Sequence, residues 1–592
     1  MKSFLFYTII LLVTLSLQAQ EVSFENVAIE LGISFSRDGG FFGGGLSFCD
    51  FDGDGLDDIS FSSKKYRQLM IYKNSINSFT LVTHQLGIMD SSNVRTILWA
   101  DYNNDGDKDL FLAISGGADK LYKNEQNIFT DVSHLAGIST SVNYSTAAAW
   151  ADYDNDGDID LYVCVRDELN PNILYRNQGD GTFIDFTELA GVADTIGGTN
   201  IFKIPLAVSF FDYNNDHLQD IYIANDKHNG NTLYKNNGDG TFTDVSDESN
   251  TGVYIDGMGV AIGDYDNNGY QDIYTTNTPL GNVLLKNNGD ETFTDVSEQL
   301  NVTVNKTCWG ANFFDFDNDT DLDLFVSSVP GTGYTGENSL FENQNDGTFQ
   351  DLALPGINTN DAQSHGNVVG DFNNDGFYDI VVINGVPNYS SLWKNSGNAN
   401  NWVKLELEGV ISNRDGIGSR IEVYNGADHF IRSTHCGHSY LSQNSSIQTI
   451  GVGVATTIDS IVIHWSSGTT DVMRNVTVNR MYKVQEGGTI TGAGTEINTF
   501  NNFNLDQNYP NPFNPSTSIE FILAVDSKVL LKVFDAIGQE IVTLIDSDLA
   551  KGSHNIGFDA SNLNSGVYFY RMDVTAVDGT KFTSVKKMIL SK

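Results

Sequence analysis

Seven stretches of this chain space aspartate and asparagine so that their side-chain oxygens can close on one cation. At positions one, three, five and nine of each stretch these residues are Asp50, Asp52, Asp54 and Asp58, then Asp101, Asn103, Asp105 and Asp109, then Asp152, Asp154, Asp156 and Asp160. The series continues with Asp212, Asn214, Asp216 and Asp220, then Asp264, Asp266, Asn268 and Asp272, then Asp315, Asp317, Asp319 and Asp323, and ends with Asp371, Asn373, Asp375 and Asp379. Alternate carboxylates on a tight loop suit calcium, a hard cation that takes six to eight oxygens. Glycine usually stands at position six, where the chain must turn sharply. There is no glutamate at position twelve, and β-rich runs rather than helices flank the loops, so these are not EF-hands. Loops four and six carry His217 and Thr320 in place of that glycine, and loop five has lost a charge at Asn268. Weaker binding is expected there, because a β-branched threonine resists positive φ. The competing reading is a set of Asx turns that need no ion.

The elements that hold these loops repeat with them. Successive loops begin 51, 51, 60, 52, 51 and 56 residues apart, and a period near 50 marks a propeller or solenoid. An apolar run such as 147–150 enters each loop and a β-rich run such as 161–165 leaves it. A third strand (173–176), an Asn-Gly-Asp-Gly turn and a fourth strand (182–186) complete a four-stranded blade. The last repeat lacks the closing Thr-Phe-Thr-Asp-Val phrase, and Ser23-Phe-Glu-Asn-Val27 supplies a similar one ahead of the first loop. The N-terminal strand is therefore expected to complete blade seven and close the ring, which removes long exposed sheet edges. The fold class is all-β: a seven-bladed β-propeller over 21–397, a small β module over 401–486 and a C-terminal Ig-like β-sandwich.

The repeat resembles the FG-GAP, or VCBS, repeats of integrin α-like propellers and of many exported bacterial proteins. That resemblance covers residues 21–397 and implies up to seven Ca2+ sites on a propeller used for adhesion or ligand binding. It names no ligand. After the Asp loops stop, Asn413-Arg-Asp-Gly-Ile-Gly-Ser-Arg-Ile421, Gly437-His-Ser-Tyr-Leu-Ser-Gln443, Gly451-Val-Gly453 and His464-Trp-Ser-Ser-Gly468 resemble an ASPIC/UnbV domain. Ile450 and Ser466 depart from that family, which favours Phe and Pro there. His435-Cys-Gly-His438 invites a zinc reading, yet two His and one Cys within four residues need a distant fourth ligand. A surface loop with one buried thiol is the expectation instead.

Residues 487–502, rich in Gly, Thr and Asn, read as a linker. Beyond it, Tyr509-Pro-Asn-Pro-Phe-Asn514, Phe534-Asp-Ala-Ile-Gly538, Leu563-Asn-Ser-Gly-Val-Tyr-Phe569 and the basic Lys586-Lys-Met-Ile-Leu590 resemble the C-terminal sorting domain of type IX secretion cargo. The resemblance covers 503–592 and implies handling by the type IX secretion machinery, with the mature protein released or held at the cell surface. The opposite end agrees: Lys2, an apolar run from Phe4 to Leu17 and small residues near Ala19 read as a signal peptide over 1–20. The apolar run is too short to span a bilayer, and no later segment is long enough.

Composition narrows the partners. A net charge of −43, from 76 Asp+Glu against 33 Lys+Arg, repels nucleic acid and anionic membrane. With 40% hydrophobic residues the chain nonetheless has the means to pack cores. Four cysteines, Cys49, Cys164, Cys308 and Cys436, lie too far apart to suggest paired spacing and read as buried free thiols. No Gly-x-Ser-x-Gly elbow, His-Glu-x-x-His helix, phosphate loop or dinucleotide fingerprint is present. The expectation is a binding or adhesion protein for an extracellular glycan or protein, with no catalytic residues. The alternative is a calcium-dependent polysaccharide lyase or another carbohydrate-active enzyme, for which His365 and His228 are loop candidates for a base.

Overall fold

A computed structural model describes residues 22–37, 42–354, 356–357, 362–488, 504–505, 508, 510–523, 527–549, 552–576 and 581–592. The signal segment 1–20 and all but the first two residues of the 487–502 linker lie outside them. Contacts divide the chain into Met1–Gly492 and Ala493–Lys592.

Among the described residues, the first unit contains seven antiparallel four-stranded sheets, two of which are joined into one by the pairing of Asn143–Ala151 with Asp109–Gly117. The innermost strands Leu46–Cys49, Val94–Ala100, Asn143–Ala151, Pro205–Phe211, Val260–Gly263, Thr307–Phe314 and Gln363–Gly370 touch in that order, and the last touches the first. The sheets therefore close a ring. Strand Phe24–Asn26 pairs with Ser391–Asn395 in the register Phe24 to Asn395, so the N-terminal segment supplies the outer strand of the seventh sheet.

Why these residues make blades is visible at each junction. One apolar cluster sits between every neighbouring pair of sheets, for example Cys49, Phe51 and Leu69 packed with Trp99, Leu110 and Tyr122. Both faces of a central strand are thus buried, which explains runs such as Asp160–Val165 that are buried throughout instead of alternating. The aromatic residue at loop position two packs on the closing phenylalanine of the next blade: Tyr153 lies 5.5 Å from Phe242, Tyr265 5.7 Å from Phe349 and Phe316 6.1 Å from Phe24 between ring centroids. Asparagine on the third strand ties the same junction by hydrogen bonds. Asn236 Nδ2 donates to the Tyr153 carbonyl of the preceding blade at 2.7 Å, and Asn287, Asn343 and Asn395 repeat the bond at their own junctions.

Residues 402–485 form two further sheets around a shared core that includes Val403, Ile421, Ile461 and Trp465. They do not stand apart from the ring. The segment 435–445 enters its central channel, where Cys436 bridges to Trp150, Ser439 to Val260 and Gln443 to Ser47, residues on three different innermost strands. Gln443 also accepts the Trp99 N–H at 2.7 Å and donates to the Trp99 carbonyl at 2.8 Å. The Tyr440 hydroxyl reaches the Phe42 carbonyl, and its ring lies 4.9 Å from Trp309. The His-Cys-Gly-His segment is accordingly a channel plug and not a surface loop. Its polar backbone is satisfied by the free inner edges of the blades.

The second unit has a three-stranded sheet (Asn504–Leu505, Ser516–Leu523, Gly552–Asp559) and a four-stranded sheet (Glu540–Leu549, Ser527–Asp535, Gly566–Ala576, Lys581–Leu590) around one core with Phe513, Phe521, Val529, Leu531 and Tyr570. Alternate burial along Ser527–Asp535 turns Val529, Leu531 and Val533 inward, as expected when one face of each sheet is covered.

Candidate metal centre

Each Asp loop joins the first strand of a blade to the second, and its backbone is folded around its own carboxylates. The position-one carboxylate accepts the N–H groups of positions five and six: Asp264 takes those of Asn268 and Gly269 at 3.0 and 2.8 Å, and Asp371 those of Asp375 and Gly376 at 3.0 and 2.7 Å. The position-nine carboxylate clamps the blade. Asp160 accepts the Asn177 N–H at 2.8 Å and the Tyr153 N–H at 3.3 Å, and Asp220, Asp272, Asp323 and Asp379 do the same. Position five closes an Asx turn on the N–H of position seven, as Asp156 does for Asp158 at 3.1 Å. Position six takes positive φ even where it is not glycine, at 67° for His217 and 92° for Thr320.

Much of the aspartate pattern therefore has a structural reason, and position three is where carboxylate oxygens are left without a backbone N–H partner among the hydrogen bonds of the loop. In four loops the oxygens of positions one, three and nine converge to within 4.8 Å of one another: Asp50, Asp52 and Asp58; Asp152, Asp154 and Asp160; Asp264, Asp266 and Asp272; Asp315, Asp317 and Asp323. Asp52 Oδ1, both oxygens of Asp154 and Asp266 Oδ1 are buried without a hydrogen-bond partner. Three converging carboxylates form a hard donor set that fits a divalent calcium ion, and in loops one, three and five the position-three carboxylate adds an oxygen that accepts no hydrogen bond. Loops two, four and seven hold Asn103, Asn214 and Asn373 at position three, an amide oxygen where the other loops have a carboxylate. Position five (Asp54, Asp105, Asp156, Asp216, Asn268, Asp319 and Asp375) stays outside the three-carboxylate groups.

Electrostatics agree with the geometry. Burial first, and neighbouring carboxylates after it, push Asp50 and Asp264 up to about 6 and Asp152 to about 7. Asp58 rises to about 9, and Asp160, Asp272, Asp315 and Asp323 are held well above the usual carboxylate range by burial and by their loop partners.

Sequence reasoning missed the residue that faces each loop from the third strand. In the repeated phrase that ends this strand, a cation stands before the asparagine: Lys73 pairs with Asp52 and Asp54, Arg176 with Asp154 at 2.6 Å and Lys286 with Asp266 at 2.5 Å. The sixth repeat breaks the phrase with Glu342, whose charge raises Asp317 and Asp319 further. Aligning the third strands as carefully as the loops exposes this exception.

The 402–485 module lies against the loops. Lys404 donates to Asp371 Oδ2 at 3.0 Å and to Asn374 Oδ1 at 2.6 Å, and both charged partners are 1% exposed. Arg432 donates to the Thr320 carbonyl, Ser466 to Asp152 Oδ2, and Asp415 accepts the Asp101 N–H while pairing with Lys108 at 2.5 Å. His435 and His438 are pulled down to about 4 and about 3, chiefly by burial. His435 Nδ1 bonds the Phe210 carbonyl and Nε2 meets Gln271, while His438 Nε2 meets Asn444, so three of the four ring nitrogens are engaged by protein groups. All four cysteines are buried free thiols. His365, one of the two loop bases considered, is a buried residue 5.3 Å from the Trp309 ring.

Comparison with known proteins fits this order of parts. The FG-GAP-like repeat matches residues 50–112, 101–163, 212–275, 264–326 and 328–382, the ASPIC and UnbV family matches 409–491, and the secretion system C-terminal sorting domain matches 507–591. Cartilage acidic protein 1 of Xenopus tropicalis is 29% identical over 271 residues, covering 43% of this chain and 40% of that protein. The Homo sapiens protein of the same name is 26% identical over 339 residues, covering 54% and 48%. The chain thus spans about half the length, or less, of these curated relatives. Among solved structures, the Dos1 propeller aligns at 10% identity with a TM-score of 0.34, covering 61% of this chain and 95% of that one. Saccharomyces cerevisiae Sqt1 aligns at 9% with a TM-score of 0.38, covering 62% and 99%. Among the described residues no helix is long and apolar enough to cross a membrane. The sorting domain marks the chain for type IX secretion to the cell surface or beyond. In sequence order, this is an exported all-β protein with FG-GAP-like propeller repeats, an ASPIC and UnbV domain and a secretion-system sorting domain.

Proposed function

We propose that the chain is a calcium-binding propeller that attaches to an extracellular glycan or protein and performs no catalysis of its own. The observation that carries the metal part is the convergence of three carboxylates within 4.8 Å in four loops, three of which keep a buried position-three oxygen that accepts no hydrogen bond. Asp52, Asp154, Asp266 and Asp317 at position three would hold the ion, with the carboxylates of positions one and nine beside them. Calcium bound there supplies positive charge to a ring of acidic loops and neutralises their mutual repulsion. The loops with Asn103, Asn214 and Asn373 make weaker sites, and the full complement is up to seven.

Binding is assigned to the opposite edge of the ring. The strands of each blade are antiparallel, so the links between second and third strands, and between one blade and the next, emerge opposite the Asp loops. These links carry Tyr66, Leu169, Tyr254, Leu280 and Tyr389, and Tyr144 stands at the start of strand Asn143–Ala151 beside them, all exposed. Phe202 lies partly buried among them. Exposed aromatic and aliphatic side chains on rigid loops are the usual anchors of a binding surface. The lyase reading loses support at His365, which is buried, although His228 remains exposed beside Asp256.

The test is size-exclusion chromatography of the calcium-loaded mature protein with plant, algal and bacterial polysaccharides, alongside a calcium titration by calorimetry. Co-elution with intact polymer that is lost on alanine substitution of Tyr144, Phe202 and Tyr254 supports the proposal. Shortened polymer refutes the non-enzymatic reading, and a chain that takes up no calcium refutes the metal reading.

A further inference from the structure

The ring channel has a second mouth, at the edge opposite the Asp loops, and three arginines gather there. Residues 21–397 hold only five: Arg37, Arg67, Arg95, Arg166 and Arg176. Arg95 stands near the start of the innermost strand Val94–Ala100, and Arg166 follows the second strand Asp160–Val165, which puts both at that edge. Arg95 Nη2 donates to the Tyr440 hydroxyl of the plug at 3.1 Å. The Phe42 ring lies 5.9 Å from the Arg95 guanidinium and 4.4 Å from that of Arg166. Burial pushes the Tyr440 hydroxyl up, and the charges of Arg95, Arg37 and Arg166 pull it back, so all three act on one point.

Positive charge is incompletely matched at this mouth. Arg95 is 7% exposed and donates to the Gly43 and Phe42 carbonyls, each at 2.8 Å, and to Tyr440; no described carboxylate pairs with it. A guanidinium buried against neutral acceptors is costly unless an anion comes to it. Arg166 pairs with Asp226 through Nη2, while its Nε is buried with no hydrogen-bond partner. Ser62 Oγ is likewise buried and unpartnered, and a Cβ added to Gly44 would fall 2.2 Å from it and 2.4 Å from Arg37 Nε. The lysines of this edge are spent elsewhere, Lys203 on Asp194 and Lys227 on Glu168, each at 3.4 Å. Guanidinium forks match a carboxylate in shape and charge. The Arg166 N–H also bonds the Tyr144 carbonyl at 3.0 Å, which sets the exposed Tyr144 of the proposed binding edge next to it. A carboxylate carried on a sugar ring uses both the charge and the aromatic surface.

We infer that this mouth is a subsite for an acidic sugar, its carboxylate held by Arg95 and Arg166 and its ring laid against Tyr144 and Phe42. The inference rests on the glycan arm of the proposed function and names the ligand class of that same edge. The net charge of −43 does not forbid it. The Asp loops stand a strand's length away, roughly 20 Å for a strand such as Val94–Ala100. Physiological salt screens exposed charges beyond about 8 Å.

The test is calorimetric titration of the calcium-loaded mature chain with trigalacturonate, its methyl ester, cellotriose and triglutamate. Trigalacturonate should bind, and the ester, cellotriose and triglutamate should be weaker by about tenfold or more. Arg166→Gln should weaken trigalacturonate binding by about tenfold. Asp226→Asn removes the competing carboxylate and should tighten that binding by about threefold. Thermal melts check that both variants fold, and Asp226→Asn decides the matter by itself if Arg166→Gln does not. The inference is overturned if the ester or triglutamate binds as tightly as the acid, if trigalacturonate does not bind, or if Asp226→Asn weakens it. Should a neutral polymer co-elute in the polysaccharide panel while trigalacturonate fails, this inference falls and the glycan reading stands. Should no polymer and no trisaccharide bind, both fall.

Discussion

Replacing Asp317 with asparagine should change stability in opposite directions with and without calcium. Loop six gathers Asp315, Asp317 and Asp323 within 4.8 Å, and Glu342 faces it where three other loops have a paired lysine or arginine. Two unit charges at 4.8 Å repel by about 3.5 kcal/mol at an effective dielectric of about 20. Asp317 takes part in two such pairs, about 7 kcal/mol in all at that largest separation before screening and protonation. Partial exposure screens part of this, and protons taken up by the raised carboxyls relieve more, so a gain of about 1–3 kcal/mol is expected in chelator at pH 8. Asparagine keeps the hydrogen bond that this side chain accepts from the Asp319 N–H at 3.2 Å. In saturating calcium the sign turns over. A site that binds tenfold more weakly loses about 1.4 kcal/mol of linked stability. Urea unfolding followed by tryptophan fluorescence in chelator and in calcium measures both numbers. A shift of the same sign in the two media, or none in either, would refute the electrostatic argument and leave loop six as a turn.

Asn236→Ala removes the amide that bonds the Tyr153 and Gln219 carbonyls, and should cost about 2–4 kcal/mol in urea with or without calcium. A loss below about 0.5 kcal/mol would mean that the blades are held by apolar packing alone. Gln443→Ala strands both backbone groups of Trp99 and should loosen the channel plug, so that Cys436 reacts with a thiol reagent ahead of Cys164, as peptide mass spectrometry would reveal. Equal labelling of the two cysteines would show that the plug is held elsewhere. Glu486 is also expected to matter in acid. Burial alone would raise its carboxyl, but the Ser467 hydroxyl and the N–H groups of Val410, Ser412 and Ile411 outweigh that and hold it at about 2, against 4.5 ordinarily. A depressed folded pKa adds stability above pH 4.5 that is lost as pH falls toward 2. Glu486→Gln should therefore be less stable at pH 6, with the gap to the parent chain closing between those limits in acid thermal melts.

The seven-fold phrase was enough to read blades, because a blade is a local unit of four strands and three turns whose signals all fall within about 50 residues. Even ring closure was legible, since the phrase missing after Asn395 reappears at Phe24, and the two strands pair in the structure. The identity of the converging oxygens was only half legible. Asp160 and Asp154 look alike in sequence, yet Asp160 is spent on two backbone N–H groups, whereas Asp154 has none. Which carboxylate takes the backbone N–H groups depends on where the Asn177 and Tyr153 amides fall, and strand pairing decides that.

What the sequence determined by itself was the repeat, its strand order, the loop chemistry and the export signals, all carried by residues close together in the chain. Only the tertiary structure decided that 435–445 fills the ring channel and that Lys404 is buried against Asp371. Those contacts join residues separated by tens to hundreds of positions. Shape and burial bring them together, and no spacing along the chain encodes either.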